Sequence, residues 1–167
     1  CHHHPFEKWG QTDFYSFAAY FARLGRKGSG LSPPISGGEE IIMTRASGTV
    51  SHPLTGKVLS PRPLFGTPPE LVEGEDPRVA LARWITSKDN SYFSQVAVNR
   101  VWADLMGRGL VEPVDDLRAT NPPSNGPLLE ALAVSFVQSN FDLKQLLRTI
   151  TASHVYALSS QPTERNI

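Results

Sequence analysis

A single cysteine among 167 residues rules out any internal disulfide staple and leaves the redox compartment unfixed. Charge of one sign is missing too. Lys and Arg number 16 and Asp and Glu 16, which excludes the basic surface that condenses a protein on nucleic acid or draws it to an anionic membrane. No stretch approaches the roughly 20 consecutive apolar residues of a membrane span, and the N-terminus lacks the basic start, apolar run and small-residue site of a secretory signal. Because the chain opens on Cys1 rather than Met, the expectation is a fragment of a larger multidomain protein whose first partner is the remainder of its own chain. Repeats with a period of about 20 to 50 residues are also absent. What is present, 40% hydrophobic residues, suffices for one core or one core with a small satellite cluster.

The patterning points to a mainly α chain with a small antiparallel β element. Phe14, Phe17, Ala18, Phe21 and Leu24 recur at helical spacing and predict a helix over 11–24, stopped by Gly25 and docked by its phenylalanine face. The run RKGSGLSPPISGG over 26–38 reads as a linker. Between 39 and 63 the stretches IIMTR, GTVSH and KVLS read as short strands, separated by turns at Ala46-Ser47-Gly48 and Pro53-Leu54-Thr55-Gly56. Asp76-Pro77 opens a second helix with Leu81, Trp84 and Ile85 as its buried stripe. A longer helix over about 92–106 is expected to bury Phe93, Val96, Ala97, Val101 and Leu105 and to stop at Gly107. Residues 111–127 are too rich in proline for helix. Leu129, Leu132, Ala133 and Phe136 mark the next helix, begun near a capping Ser124 and ended by Asn140. The last helix starts at Asp142, with Gln145 as reciprocal capping partner and Phe141 packing on Leu146, and turns Leu143, Leu146, Leu147 and Ile150 inward.

Two constellations could carry chemistry. The N-terminal Cys1-His2-His3-His4-Pro5-Phe6 concentrates a thiolate and three imidazoles, donors that suit zinc, copper or haem iron. A Cys-His pair is also the second half of the C-x-x-C-H haem-attachment sequence. On that reading Cys1 carries a thioether and His2, held beside it, is the proximal iron ligand. His4, followed by rigid Pro5, is placed to bond a propionate, bind a second metal or secure the loop. Zinc is the alternative, held by Cys1, His2 and His4 with His52 or His154 as the distant fourth ligand, and a chain end with no cofactor is the plain one. The second constellation is the polar cluster of Asn99, Arg100, Arg108, Asp115, Asp116, Arg118 and Asn121. Paired carboxylates can do acid–base work or hold a hard cation, but such groups also fasten irregular loops by pairing with arginine and accepting backbone amides. The structural reading expects Asp115 or Asp116 to pair with Arg100, Arg108 or Arg118.

Taken in order, the strings CHHHPFEKW, FYSFAAYFARL, SHPLTGKVLSPR, ALARWIT, VNRVWADLMGRGLVEPVDDLRATNPPSNG and FDLKQLLRTITASHVYALSS resemble the large exported proteins of Planctomycetes and related bacteria that carry planctomycete-type cytochrome c modules beside two uncharacterised domains. The resemblance implies that 1–30 is the tail of the first uncharacterised domain, 31–75 a linker and small hairpin region, and 76–167 the helical opening of the second. Members of that group read C-A-x-C-H-x-H-P-F where this chain begins, which aligns Cys1, His2, His4, Pro5 and Phe6 and leaves the first cysteine without a counterpart. It also implies a periplasmic or secreted setting, haem c as cofactor, and a redox protein as partner. Function then reads as a component of an exported, cytochrome c-associated protein in an electron-transfer setting. The alternatives are a non-catalytic structural or interaction module, and a carbohydrate-acting hydrolase using Asp115 and Asp116. Adjacent aspartates rarely hold the roughly 5 to 9.5 Å carboxyl separation that glycoside hydrolysis needs, which places the hydrolase last.

Overall fold

The computed structural model of the chain describes residues 8–28, 40–159 and 161. It is mainly helical, with two small antiparallel sheets, and divides into two compact units at Thr86/Ser87. No helix among the described residues is long and apolar enough to cross a membrane.

In the first unit, α1 (Gln11–Ala18) starts where the periodicity puts it, and the Asp13 carboxylate reaches back to accept the Gly10 N–H at 2.9 Å. The helix does not run to residue 24. It tightens into a 3-10 turn, Ala19–Phe21, after which Leu24–Gly28 is extended as β1 and pairs antiparallel with β2, Glu40–Thr44, in register Leu24 to Thr44. Part of the expected linker is therefore strand, and Gly25 lies inside it rather than stopping a helix. The phenylalanine face is likewise only partly used: Phe17 packs on Tyr20, Ala80 and Leu81, while Phe14 and Phe21 stay exposed. β2 pairs with β1 and not with the next strand, so Ala46-Ser47-Gly48 is no hairpin turn. Gly48 instead permits close approach, since a Cβ there would lie 2.0 Å from the Ala22 carbonyl oxygen. The other expected hairpin forms, with β3 (Val50–Ser51) paired to β4 (Val58–Leu59) around Pro53–Gly56. α2 (Pro77–Ile85) has Asp76 as cap, accepting the Arg78 N–H at 3.0 Å, with Pro77 at the first helical position. Its buried residues are Ala80 and Leu81. Trp84 is half-buried, donating its indole N–H to the Phe65 carbonyl at 3.1 Å, and Ile85 is exposed.

The second unit packs α3 (Ser91–Met106), α4 (Gly126–Gln138) and α5 (Leu143–Thr151) around one apolar cluster. Asn90 caps α3, and Gly107, at φ 75°, ends it as expected. The fully buried stripe is not the expected one: Ser94, Val98, Asn99 and Trp102 go inside, with Ala97, Val101 and Leu105 only flanking. Apolar residues lie on more than one side of α3, and the facing helices select which side is covered. α4 buries Leu129, Leu132, Ala133 and Phe136 as its periodicity predicts, but its cap is Asn125, not Ser124. α4 and α5 are joined through Asn140 and Phe141, both at positive φ, 57° and 62°. The Phe141 N–H donates to the Phe136 carbonyl and the Asn140 N–H to that of Val137, the Schellman pattern, and the Phe141 ring meets those of Phe93 and Phe136 edge-on at 5.4 Å. Asp142 caps α5 by accepting the Lys144 and Gln145 amides. The reciprocal bond from Gln145 is replaced by Ser139, whose hydroxyl accepts the Asp142 N–H at 3.3 Å. Leu146 and Ile150 are buried, whereas Leu143 and Leu147 are exposed.

Candidate functional site

Between α3 and α4 the chain from Gly107 to Asn125 forms a loop pinned from beneath by one side chain. Asn99 has 0% of its surface exposed. Its amide nitrogen donates to the Val111 and Val114 carbonyls at 2.9 and 2.7 Å, and its amide oxygen accepts the Val111 N–H at 3.0 Å. A buried side chain thus supplies the hydrogen bonds that a neighbouring strand would give an irregular segment. Such close approach needs Gly109, because a Cβ there would lie 2.4 Å from the Val111 carbonyl oxygen and 3.1 Å from the Asn99 amide nitrogen.

The rest of the polar cluster closes the same loop. Arg100 grips Asp115 through two bonds of 2.7 and 2.8 Å at the surface, and Arg118 grips Asp116, the less exposed of the two aspartates. Asn121 donates to the Asp116 carbonyl at 2.8 Å and the Glu112 carbonyl at 3.2 Å. Ser124, read from sequence as a cap, donates its hydroxyl to the Leu110 carbonyl at 2.9 Å and its amide to the same oxygen. Glu112, which sequence reasoning passed over, accepts the Gly109 N–H at 2.9 Å and precedes a cis peptide to Pro113. Arg108 is exposed and makes no hydrogen bond or ion pair among the described residues.

These pairings decide what the carboxylates can do. The Arg100 guanidinium bonded to Asp115 holds its carboxyl below the ordinary range, and the Arg118 side chain and backbone do the same for Asp116. Both carboxylates are therefore ionised near neutrality, each bonded to a guanidinium.

Beside the loop lies a cleft of about 500 Å³. Val111, Leu117 and Leu129 give it apolar walls, Pro122, Pro123 and Pro127 stiffen its rim, and Gln95 of α3 and Glu130 of α4 contribute polar groups. Neither Gln95 nor Glu130 stands out in the sequence, since only the pairing of α3 with α4 brings them to one place.

Cys1, His2 and His4 lie outside the described residues. Among the described residues no group of three or more His, Cys, Asp or Glu is gathered in a way that could hold a metal ion. His52 sits in the β3–β4 turn, where its Nδ1 accepts the Leu54 N–H at 3.2 Å and its ring lies 6.1 Å from that of Tyr15. His154 is exposed in the turn after α5.

Residues 77–167 match the family described as PSD1, a protein of unknown function (DUF1553). No curated protein and no solved structure matches the chain.

Proposed function

We propose, from the premise that this chain belongs to the PSD1 (DUF1553) family, that its second unit is a non-catalytic binding module whose polar loop exists to hold a shape. The observation that carries this is Asn99, wholly buried and spent on three backbone bonds, with both nearby aspartates taken up by arginines, Asp115 by Arg100 of α3 and Asp116 by Arg118 of the loop. A reaction centre needs groups free to change partners during turnover, and these are committed to the fold. The test is thermal melting with calcium titration calorimetry on the full chain. Asp116→Asn should lower the melting temperature, with no calcium heat in either protein. Unchanged melting, with calcium binding that the substitution abolishes, would overturn the reading in favour of a cation site.

For the module's setting, the resemblance carried by Cys1-His2-His3-His4-Pro5-Phe6 and the strings that follow it supports an exported, redox-associated one. Here Cys1 supplies a thioether to haem c, His2 the proximal imidazole, and a redox protein is the partner. Zinc ranks second because its closely spaced donors need one more ligand from far along the chain. Its fourth ligand would have to come from a distant histidine, His154, exposed after α5, or His52, whose Nδ1 accepts the Leu54 N–H so that in the neutral ring the proton is on Nε2. A reduced-minus-oxidised spectrum and haem stain on the full-length gene product, from a host competent in c-type maturation, tests it. Colourless protein sinks the haem reading, while colour that survives His4→Ala and not His2→Ala supports the ligand assignment.

A further inference from the structure

The cleft beside the loop has a charge of its own. Arg118 lines it, but its guanidinium is held by Asp116, and the start of α4 offers few free donors, because Pro127 has no N–H and the Leu128 N–H is taken by the Asn125 side chain. The Glu130 side chain, one turn further along α4, makes no hydrogen bond or ion pair among the described residues, nor does that of Gln95. The cleft therefore combines apolar walls, one uncompensated carboxylate and one amide able both to donate and to accept.

We infer that this cleft binds an extended peptide segment bearing a basic side chain between apolar ones. The proposal rests on the loop being a fixed platform. The ammonium or guanidinium pairs with Glu130, its aliphatic stem and apolar neighbours cover Val111, Leu117 and Leu129, and the Gln95 amide bonds the peptide backbone. The volume, about 500 Å³, accommodates about three residues. No aromatic side chain lines the cleft, so a sugar ring or a nucleobase would find no stacking surface.

The test is NMR titration of the isotopically labelled full chain with two capped tripeptides, Ac-Leu-Lys-Leu-NH2 and Ac-Leu-Glu-Leu-NH2. The lysine peptide should shift the amides around Gln95, Leu117 and Glu130, and the glutamate peptide should bind more weakly. Glu130→Gln should weaken the lysine peptide about three- to fivefold, the size of one exposed ion pair, and Glu130→Lys should reverse the preference. Ala119→Phe, on the cleft wall, should block both peptides. Equal binding of the two peptides, tighter binding of the glutamate peptide, shifts confined to other surfaces, or no binding by either overturns the proposal. Melting of the same samples keeps the two readings apart: Glu130→Gln should leave it unchanged, whereas the fixed loop stands or falls on Asn99 and Asp116.

Discussion

Truncating Asn99 would strand two carbonyls and one N–H where the side chain now has no exposure at all. Asn99→Ala should therefore lower the unfolding free energy by about 2–4 kcal/mol in urea denaturation, the cost of several unsatisfied buried groups. Tyr20 is the opposite case. Its ring is 1% exposed and its hydroxyl has no partner among the described residues, and burial alone pushes its pKa up. Tyr20→Phe deletes an unpaired polar atom and should leave stability unchanged or raise it by up to about 1 kcal/mol. Asp76 supplies a pH dependence. Its hydrogen bonds from the Arg78 side chain and backbone lower its pKa from 3.8 to about 2 in the folded state. A carboxyl depressed by folding contributes stability above the unfolded value and loses it as pH falls toward the folded one. The loss belongs between 3.8 and about 2. Asp76→Asn keeps an acceptor for the cap but removes this proton linkage, so acid titration of stability should be shallower for the variant in that window.

At the scale of elements, the caps were readable because each is a local chemical event. Asp76 followed by Pro77, Asp142 ahead of α5 and Gly107 after α3 act where their neighbours in sequence predict. The joint between α4 and α5 adds a feature that sequence marks only as a stop. Asn140 holds φ at 57°, a region glycine enters without strain, while the Phe141 ring anchors the same turn between Phe93 and Phe136. Asn140→Gly should raise the melting temperature slightly, by the equivalent of a few tenths to about 1 kcal/mol. Inward faces were harder to read. Leu143 and Leu147 repeat at helical spacing as regularly as Leu146 and Ile150, yet the second pair alone is covered. Leu146→Ala should accordingly cost about 2–4 kcal/mol and Leu143→Ala much less, a contrast chemical denaturation would resolve.

The described residues carry two core clusters, one on Tyr20, Ala80 and Leu81 in the first unit and one on α3, α4 and α5 in the second. Calorimetry of the full chain should show two unfolding transitions, with Asn99→Ala moving one and substitutions at Leu81 the other; a single transition moved equally by both would refute independent units. The family match begins at residue 77, so α2 lies within the matched region while packing with the first unit. By itself the sequence determined the helical character, the helix ends at Asp76, Gly107 and Asp142, the β3–β4 hairpin, and the loop of 111–127 as the place where polar residues concentrate. Those are consequences of neighbouring residues, which act on one another before any long-range contact forms. Only the tertiary structure decided that β1 pairs with β2 across residues 29–39, which face of α3 is buried, that Asn99 and not an aspartate holds the loop, and that Gln95 and Glu130 share one cleft. Each of these joins residues far apart in the chain or chooses among equally apolar faces, a choice that packing makes and periodicity does not.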